Sequence, residues 1–476
     1  MPPRKKTAAG RRPTRVLLVK AHHDDPSIRQ VTHPLGIMYV AACLKRDYGH
    51  DVRIFDMRVN GFDYARLEEE IRSFSPDIVG ISALTSETGS MDKIAACAKK
   101  VNHGTPVILG GPHATAYGDQ SITSPDIDYG VVGEGEITAG RLIERLTAKR
   151  DVDDLKGLVF RRDGNVVNTG RAELVENLDD LPPPAYDLIP IGEYKKFYRF
   201  SRTGRGDYMC IFSSRACPYR CIYCHNIFGK KFRARSAESL VSEIRHLYDR
   251  YGIREFEILD DIFNFDRKRV LEFCDRVVES GMNITLAFPN GLRGDLLDEE
   301  QLRKLKQAGT IYIALAIETA SVRMQKVIRK NINIEKVRRN IEIARSLRIH
   351  SHGFFMMSLP GETLEEMKMT VDFILSSKLH TFNLFMAMPF EGTEMGRMAR
   401  EMGRDVVTDF SQDYYTRKFV NLTDVPGDVI NEIRRNVLLR FYANPVRIYN
   451  IMRDFPGDAS PLRLAKLFFR RMLWKT

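Results

Sequence analysis

Three cysteines within eight residues are the side chains of this 476-residue chain best suited to chemistry. Cys217, Cys221 and Cys224 have the spacing C-x-x-x-C-x-x-C, and a short apolar run precedes them. Clustered thiolates bind metals, but a closed zinc site or an ordinary iron–sulfur site takes four protein ligands. Three ligands therefore predict a metal centre that keeps one coordination position open.

Two other metal sites compete with this interpretation. A structural zinc site needs a fourth ligand, and His225 directly follows Cys224, where it is badly placed to complete the same tetrahedron. A ferredoxin-type cluster needs a fourth cysteine nearby, and none follows in the sequence. We favour a [4Fe–4S] cluster in which one iron is not bound by the protein.

The elements around the cysteines indicate a partial (βα)6 barrel of the TIM type over residues 205–400. Helix-period segments separate six strand-like runs, which we expect at 208–214, 255–260, 284–288, 310–317, 352–358 and 381–388. A further break is expected in the helical segment 321–347, near Asn331–Asn333. In βα barrels the chemistry lies at the carboxyl ends of the strands. The cysteine loop follows the first strand, which is the expected place.

The cysteine spacing, with an aromatic residue before the last cysteine, resembles the signature of the radical S-adenosylmethionine (SAM) superfamily. In that family the open iron binds SAM, and reductive cleavage yields a 5′-deoxyadenosyl radical. The resemblance implies an external electron donor such as flavodoxin or ferredoxin, and it assigns no catalytic residue beyond the cluster. It implies SAM contacts at consecutive strand ends, from Tyr223, Asp260, Asp261, Asn290, Arg293, Glu318, Pro360 and Gly361. Carboxylates at the second strand end could instead cap a helix.

Residues 15–149 are predicted to form a doubly wound, Rossmann-like α/β domain. Its apolar strands are expected at 15–21, 51–56, 77–84, 106–112 and 129–135, with helices at 34–48, 62–73, 88–102, 117–122 and 136–148. Strands that are apolar throughout and alternate with helices indicate a parallel sheet covered on both faces. Glycine-rich turns follow the third to fifth strands, where a ligand could approach the backbone closely. Tight turns without a ligand are the alternative.

These strand ends resemble the cobalamin-binding domain found in many radical enzymes. The resemblance is carried by S-x-L, G-G-P-H and V-V-G-E-G-E segments and by the start of the first helix. It implies cobalamin contacts from Pro34, Leu35, Gly36, Ser82, Leu84, Thr85, Gly110, Gly111, Pro112, His113, Gly133, Glu134 and Gly135. In related domains a D-x-H-x-x-G motif supplies the lower axial histidine. Here Val31 replaces the aspartate, so His33 lacks an orienting carboxylate and is a poor candidate ligand.

Three remaining segments complete the expected organisation. Residues 1–14 form a basic tail, and residues 150–204 form a linker with a hairpin turning at Asp163-Gly164 and a proline-rich connector. Residues 401–476 are predicted to be a helical cap, with a break at Pro445. At its end, Leu462–Thr476 is basic and amphipathic. It is expected either to lie on an anionic membrane or to dock on the cap.

Composition and charge restrict the function classes. The net charge of +11 is concentrated in the tails, since residues 1–15 contribute +6 and residues 457–476 contribute +4. That distribution disfavours a nucleic-acid-binding face. No apolar run is long enough to span a bilayer, and no secretory signal opens the chain. Seven cysteines, four of them scattered (Cys43, Cys97, Cys210 and Cys274), indicate a reducing compartment, hence the cytoplasm.

The resemblance extends from residue 15 to about residue 400 and is to cobalamin-binding radical SAM enzymes. It implies methyl transfer to an unactivated carbon of a small-molecule or lipid-like substrate. The runner-up is a cobalamin-dependent cyclisation, ring contraction or oxygenation. A hypothesis from another class is a non-catalytic cobalamin or redox sensor. We expect a cytoplasmic enzyme whose C-terminal helix can contact the inner face of the membrane.

Overall fold

The computed structural model describes residues 12–23, 30–201, 206–225, 227–407 and 419–455. These residues form two compact units. The first comprises the described residues up to Tyr198 together with 227–234, and the second comprises the described residues of 199–225 and from Arg235 onward. The predicted helix at Leu462–Thr476 and most of the basic tail lie outside the described residues.

The first unit is a seven-stranded sheet with helices on both faces. The strand order is β2-β1-β3-β4-β5-β6-β7. Its strands are β1 (Arg15–Lys20), β2 (Asp51–Asp56), β3 (Ile78–Ser82), β4 (Val107–Gly110), β5 (Tyr129–Val131), β6 (Leu158–Arg162) and β7 (Asn165–Asn168). Its helices are α1 (Leu35–Tyr48), α2 (Tyr64–Phe74), α3 (Thr88–Val101), α4 (Pro112–Tyr117) and α5 (Gly135–Thr147). The doubly wound α/β prediction is confirmed.

The two-residue period of the strands explains why both faces of this sheet are covered. Leu17 and Val19 belong to one buried cluster, whereas Val16 and Leu18 belong to a second cluster on the opposite face. The first five strands pair in parallel, so the carboxyl ends of β3, β4 and β5 lie side by side at one edge. The glycine-rich turns are therefore neighbours.

Two local expectations differ from the structure of this unit. The hairpin at Asp163-Gly164 forms as predicted, but it extends the sheet, because β6 pairs antiparallel with β5. Its residues Leu158–Phe160 are almost fully buried, with Leu158 and Phe160 in one core cluster and Val159 in the other. A short 3-10 helix, Gly118–Ser121, lies where a short helix is expected at 117–122, and α4 precedes it without having been predicted. Helix α4 begins at Pro112, a residue that suits the first turn of a helix because it lacks an N–H group.

The second unit is an open six-stranded parallel sheet in the order β15-β14-β13-β12-β11-β8. Its strands are β8 (Tyr208–Ile211), β11 (Glu255–Ile258), β12 (Thr285–Leu292), β13 (Thr310–Glu318), β14 (His350–Met357) and β15 (Thr381–Met386). Two further strands are short: β9 (Ser214–Arg215) lies in this unit and β10 (Arg233–Ala234) lies in the first unit. The sheet confirms the partial barrel that the sequence predicts.

Helices connect these strands and form the C-terminal part. They are α6 (Ala237–Tyr251), α7 (Arg267–Glu279), α8 (Glu299–Gln307), α9 (Val322–Val327), α10 (Ile334–Ser346), α11 (Leu364–Ser376), α12 (Glu394–Glu401), α13 (Gly427–Tyr442) and α14 (Pro445–Asp454). The breaks predicted between α9 and α10 and at Pro445 are present. Among the described residues, no helix is long and apolar enough to cross a membrane.

Candidate active site

The cysteine loop follows β8 and is held by backbone hydrogen bonds within the second unit. The Ile222 N–H group donates to the carbonyl oxygen of Ile328 (3.2 Å), and the Ile222 carbonyl accepts from the Met395 N–H group (2.8 Å). The Cys224 N–H group donates to the Cys221 carbonyl at 3.2 Å. The loop is thus fixed between the segment after α9 and the start of α12.

The three cysteines of this loop are free thiols. Cys217 and Cys221 are half-buried, and Cys224 is exposed. A hydrogen bond from the Cys224 thiol lowers the pKa of Cys221 against the opposing effect of burial, and the charge of Lys330 adds to this lowering. The thiolate is the form that binds metals, and this lowering of the pKa favours the thiolate at Cys221.

The buried Glu318 and Lys330 and the half-buried Tyr223 form a triad beside the cysteines. The Tyr223 hydroxyl donates to Glu318 Oε1 at 3.0 Å, and Lys330 Nζ donates to the same oxygen at 2.8 Å. Lys330 Nζ also lies 3.2 Å from the Tyr223 hydroxyl oxygen. Burial raises the pKa of Tyr223 well above its ordinary value, so the phenol stays protonated.

The backbone around this triad is held in an uncommon conformation. Glu318 ends β13 with φ of 68°, and Lys330 lies between Arg329 (φ 54°) and Asn331 (φ 53°). Left-handed backbone at residues other than glycine is sustained only when the surrounding structure over-determines it, and it is enriched at functional sites. Burial lowers the pKa of Lys330, but Glu318 and the neighbouring cysteines together outweigh that effect and leave the pKa raised, so Lys330 stays charged.

Asp260 and Asp261 end β11 but have different surroundings. The buried Asp260 carboxylate accepts hydrogen bonds from the Ser213 N–H group (2.6 Å), the Ser213 hydroxyl (2.5 Å) and the Ser214 hydroxyl (2.6 Å). These serines immediately precede the cysteine loop. Asp261 is exposed. Asp260 thus fixes the start of the loop rather than offering a free carboxylate, and it does not cap a helix.

The other predicted SAM contacts also lie at the carboxyl edge. The Asn290 amide donates to the carbonyl oxygens of Leu259 and Asp260 (3.3 and 3.0 Å). Arg293 is buried, with its guanidinium 3.8 Å from the centre of the Tyr219 ring in the cysteine loop. Arg293 thereby supports the loop through a cation–π contact.

The turn after β14 contains the two remaining predicted contacts. Pro360 is buried, and Gly361 is exposed with φ of 65° and open space where a Cβ would stand. Glu362, which follows them, is buried, and burial raises its pKa to about 8. The turn therefore presents an open backbone surface next to a carboxyl group that is protonated at neutral pH.

In the first unit, the three glycine-rich turns meet at the edge formed by β3, β4 and β5. Gly111 has φ of 89°, and a Cβ there would stand 2.8 Å from the Ser82 hydroxyl, so a larger residue does not fit. Gly133 has φ of 106°. Leu84 is 44% exposed beside these turns. An apolar side chain and bare backbone at one sheet edge make a surface suited to a large flat ligand.

Other predicted cobalamin residues occupy the same edge, partly through protein contacts. Pro34 and Leu35 are buried at the start of α1, and Gly36 is exposed with open space around its Cα. The His33 ring packs on the Tyr194 ring at 4.3 Å between ring centres. His113 is buried beside Tyr117, and burial lowers its pKa to about 4, so it is neutral.

Comparison with known proteins is consistent with both sites. A profile of the B12 binding domain matches residues 26–143, and one of the Radical SAM superfamily matches residues 211–374. An uncharacterized methyltransferase of Pyrococcus horikoshii is 30% identical over 417 residues, which cover 87% of this chain and 88% of that protein. This chain belongs to the cobalamin-binding radical SAM enzymes.

A further relative and a solved structure resemble this cobalamin-binding radical SAM enzyme. The cytidylyl-2-hydroxyethylphosphonate methyltransferase of Streptomyces wedmorensis is 29% identical over 461 residues, covering 85% of this chain and 84% of that protein. The structure of the radical SAM methyltransferase TsrM from Kitasatospora setae, with cobalamin and a [4Fe–4S] cluster bound, has a TM-score of 0.71 at 18% identity. That likeness covers 91% of this chain and 90% of TsrM and confirms the fold.

The cofactors of this radical SAM enzyme are a [4Fe–4S] cluster, SAM and cobalamin. The donor set fits the cluster. No group of three or more Cys, His, Asp or Glu side chains among the described residues converges on a single metal ion. A [4Fe–4S] cluster does not require three side chains to bind the same metal ion, because each cysteine binds a different iron. In the first unit, Gly36 has open space where a side chain would stand, and Leu84 is exposed, which fits a large cofactor such as cobalamin.

Sequence reasoning missed several residues of this radical SAM enzyme. Lys330 lies in the break between α9 and α10, next to the break predicted near Asn331–Asn333, but nothing in its type or spacing indicates burial against Glu318. Arg269 in α7 donates to both the carbonyl oxygen (2.9 Å) and the hydroxyl (2.7 Å) of Ser213. Arg233 forms a buried ion pair with Glu134 and lies 3.0 Å from its Oε2. All three are basic residues. Because lysine and arginine are common along this chain, their type alone does not mark these positions as functional.

Proposed function

We propose that this enzyme transfers a methyl group to a carbon atom of a small-molecule substrate. The observation that carries the proposal is that two methyltransferases match the chain over both of its units, at 30% and 29% identity. The match covers at least 84% of each relative, so it is not confined to a shared cofactor domain. The cofactor pair supplies the chemistry: SAM bound to the reduced cluster gives a 5′-deoxyadenosyl radical, and cobalamin carries the methyl group.

The residues of the second unit would hold the cluster and SAM. Cys217, Cys221 and Cys224 would bind three irons. We propose that the fourth position and the neighbouring strand ends receive SAM. Its contacts would come from Tyr223, Asp261, Asn290, Glu318, Pro360 and Gly361, while Asp260 and Arg293 act indirectly by holding the loop. This division is supported by the hydrogen bonds that already occupy the Asp260 carboxylate.

The turns of the first unit would hold cobalamin mainly through backbone groups. The Glu134 carboxylate is bonded to Arg233 and to the Val175 N–H group (2.8 Å), so contact at this turn falls to Gly133 and Gly135. The remaining contacts are proposed at Pro34, Leu35, Gly36, Ser82, Leu84, Thr85, Gly110, Gly111, Pro112 and His113. His33 packs on Tyr194, which supports a cobalt without a histidine ligand from this position.

Three finer features belong to the same proposal. The electron for SAM cleavage would come from an external donor such as flavodoxin or ferredoxin. The enzyme would work in the cytoplasm. Its basic segment Leu462–Thr476 would contact the inner face of the membrane, and the substrate would then be lipid-like. The segment's sequence, apolar on one side of a helical wheel and basic on the other, supports this contact.

The proposal is tested with anaerobically reconstituted enzyme, reductant, cobalamin and SAM carrying a trideuterated methyl group. A metabolite extract from a strain lacking the enzyme serves as the substrate source. We expect a metabolite that gains the trideuterated methyl, together with 5′-deoxyadenosine, and neither product from Cys221→Ala. Formation of 5′-deoxyadenosine with a converted but unlabelled metabolite would overturn methyl transfer in favour of a cyclisation, ring contraction or oxygenation.

A further inference from the structure

Helix α14 buries most of its polar side chains and exposes most of its apolar side chains. Its buried residues are Arg447, Asn450, Ile451 and Asp454. Its outward half carries the exposed apolar side chains Val446 (64%), Tyr449 (62%), Ile448 (41%) and Met452 (41%). An ordinary surface helix has the reverse arrangement, with its apolar stripe against the core. The outward face of α14 is therefore an exposed hydrophobic patch, a feature that marks interaction sites.

Specific contacts fix this orientation. Arg447 donates to the carbonyl oxygens of Leu375 (3.0 Å), Ser377 (3.1 Å) and Leu379 (2.6 Å), at and beyond the end of α11. A cation is favourable there because the last carbonyls of a helix lack partners and carry negative partial charge. Asp454 Oδ2 lies 3.2 Å from His380 Nε2. The helix cannot rotate its apolar face inward without losing these bonds.

The exposed charges on α14 and on the adjoining part of α13 are of one sign. From residue 433 to residue 455 the only acidic side chain is Asp454, which is buried. The same stretch contributes Arg434, Arg435, Arg440 and Arg453 as basic groups that are exposed or half-buried. Apolar side chains flanked by arginines match the boundary between acyl chains and anionic headgroups.

Two other ways of covering this face are electrostatically unfavourable. In a symmetric dimer the same patch meets itself, so the arginines of two copies would face each other. The segment that follows α14 is also basic, since residues 457–476 carry five basic residues and one acidic residue. Folding it back would again place positive charge against positive charge. An anionic surface is the occupant that the charges favour.

We propose that the outward face of α14, with its flanking arginines, docks on an anionic lipid bilayer. The inference deepens the membrane contact proposed for Leu462–Thr476, but a different element carries it. Helix α14 packs against residues 375–380, which precede β15, and the cysteine loop lies at the opposite edge of the same sheet. Docking through α14 therefore leaves the carboxyl edge of the second unit uncovered.

The test is co-sedimentation of the full chain with vesicles of phosphatidylcholine containing phosphatidylglycerol, and with vesicles of phosphatidylcholine alone. We expect binding to the anionic vesicles that weakens with added salt. The combined variant Val446→Asp, Tyr449→Asp and Met452→Asp should bind at least about tenfold more weakly, because three apolar side chains no longer enter the interface. A matched control replaces three other exposed apolar side chains by aspartate, Val278, Val322 and Met369, and should bind like the wild type.

Each remaining result overturns the inference. Absence of wild-type binding to the anionic vesicles removes the membrane as the partner. Equal binding by the α14 variant, with loss in a Phe468→Ser, Phe469→Ser variant, leaves the Leu462–Thr476 contact standing but excludes α14. A wild-type dimer in solution that the α14 variant dissociates would make the face an interface between copies. SAM cleavage, measured in every variant, reports separately on the proposed reaction.

Discussion

Lys330 and Glu318 form an ion pair in which both side chains are more than nine-tenths buried, with Nζ 2.8 Å from Oε1. Glu318 comes from the end of β13, and Lys330 comes from the loop between α9 and α10. The pair shares the Tyr223 hydroxyl, one residue before the last cysteine. A buried charge pair therefore ties the strand end to the cluster loop.

Replacement of Lys330 by methionine should destabilise the second unit. The Glu318 carboxylate would be left buried without its cation, a situation that typically lowers the free energy of unfolding by about 3–5 kcal/mol. The measurement is the midpoint of urea unfolding, with Lys326→Met as the control because Lys326 is exposed on α9. An unchanged midpoint in Lys330→Met would show that the pair contributes nothing to the fold.

Asp260→Asn should loosen the start of the cysteine loop. The substitution removes a buried charge that accepts three hydrogen bonds from Ser213 and Ser214, and it leaves at least one donor unsatisfied. The expected loss of stability is about 1–3 kcal/mol. The loop should also retain less iron after reconstitution, which is measured by iron analysis. Asp261→Asn, at the neighbouring exposed position, should keep full iron; equal loss in both variants would contradict the structural role of Asp260.

Glu134→Gln should destabilise the first unit by leaving the Arg233 guanidinium buried without a carboxylate. Both side chains of this pair are almost fully buried. We expect a loss of about 3–5 kcal/mol, since the guanidinium cannot lose its proton. Thermal unfolding of the first unit measures the effect. Glu173→Gln is the control. Glu173 forms a solvent-exposed ion pair with Arg141, with 3.4 Å between Nη1 and Oε2, and such pairs contribute little to stability. Equal shifts of the unfolding temperature in Glu134→Gln and Glu173→Gln would show that burial of the Glu134–Arg233 pair does not matter for stability.

Hydrophobic periodicity predicts both sheets of this protein because it reports which faces are buried. The strands β1–β5 and the six strands of the second unit all lie where apolar runs indicate them, and the cysteine loop follows β8 as expected. The sequence also predicts the glycine turns, because a positive φ such as that of Gly111 is accessible to few other residues. The local sequence therefore predicts those features that depend on local backbone conformation or on the burial of one face of an element.

Long-range partners are what the sequence does not predict. Nothing near Lys330 indicates that it meets Glu318, and nothing near Arg233 indicates that it meets Glu134, because each contact depends on tertiary packing. The hairpin β6–β7 is predicted, but its pairing with β5 is not. The inverted orientation of α14 has the same origin. Apolar spacing defines a stripe on this helix, yet the contacts of Arg447 and Asp454 turn that stripe outward.

Glu362 should make stability depend on pH. Burial raises the pKa of Glu362 to about 8, whereas its ordinary value is 4.5. Between these values the folded protein binds more protons than the unfolded chain, so the stability contributed by the protonated carboxyl is lost as the pH rises. That contribution is fully present below about pH 4.5 and disappears as the pH passes about 8. Its upper limit is roughly 4–5 kcal/mol.

Glu362→Gln should therefore flatten the fall in stability with rising pH, because glutamine does not titrate. Urea-unfolding midpoints compared between about pH 5.5 and pH 8 measure the slope for the wild type and the variant. Glu365→Gln, at an exposed position in the first turn of α11, is the matched control and should keep the wild-type slope. A wild-type slope in Glu362→Gln would mean that the carboxyl next to the Pro360-Gly361 turn is ionised in the folded enzyme.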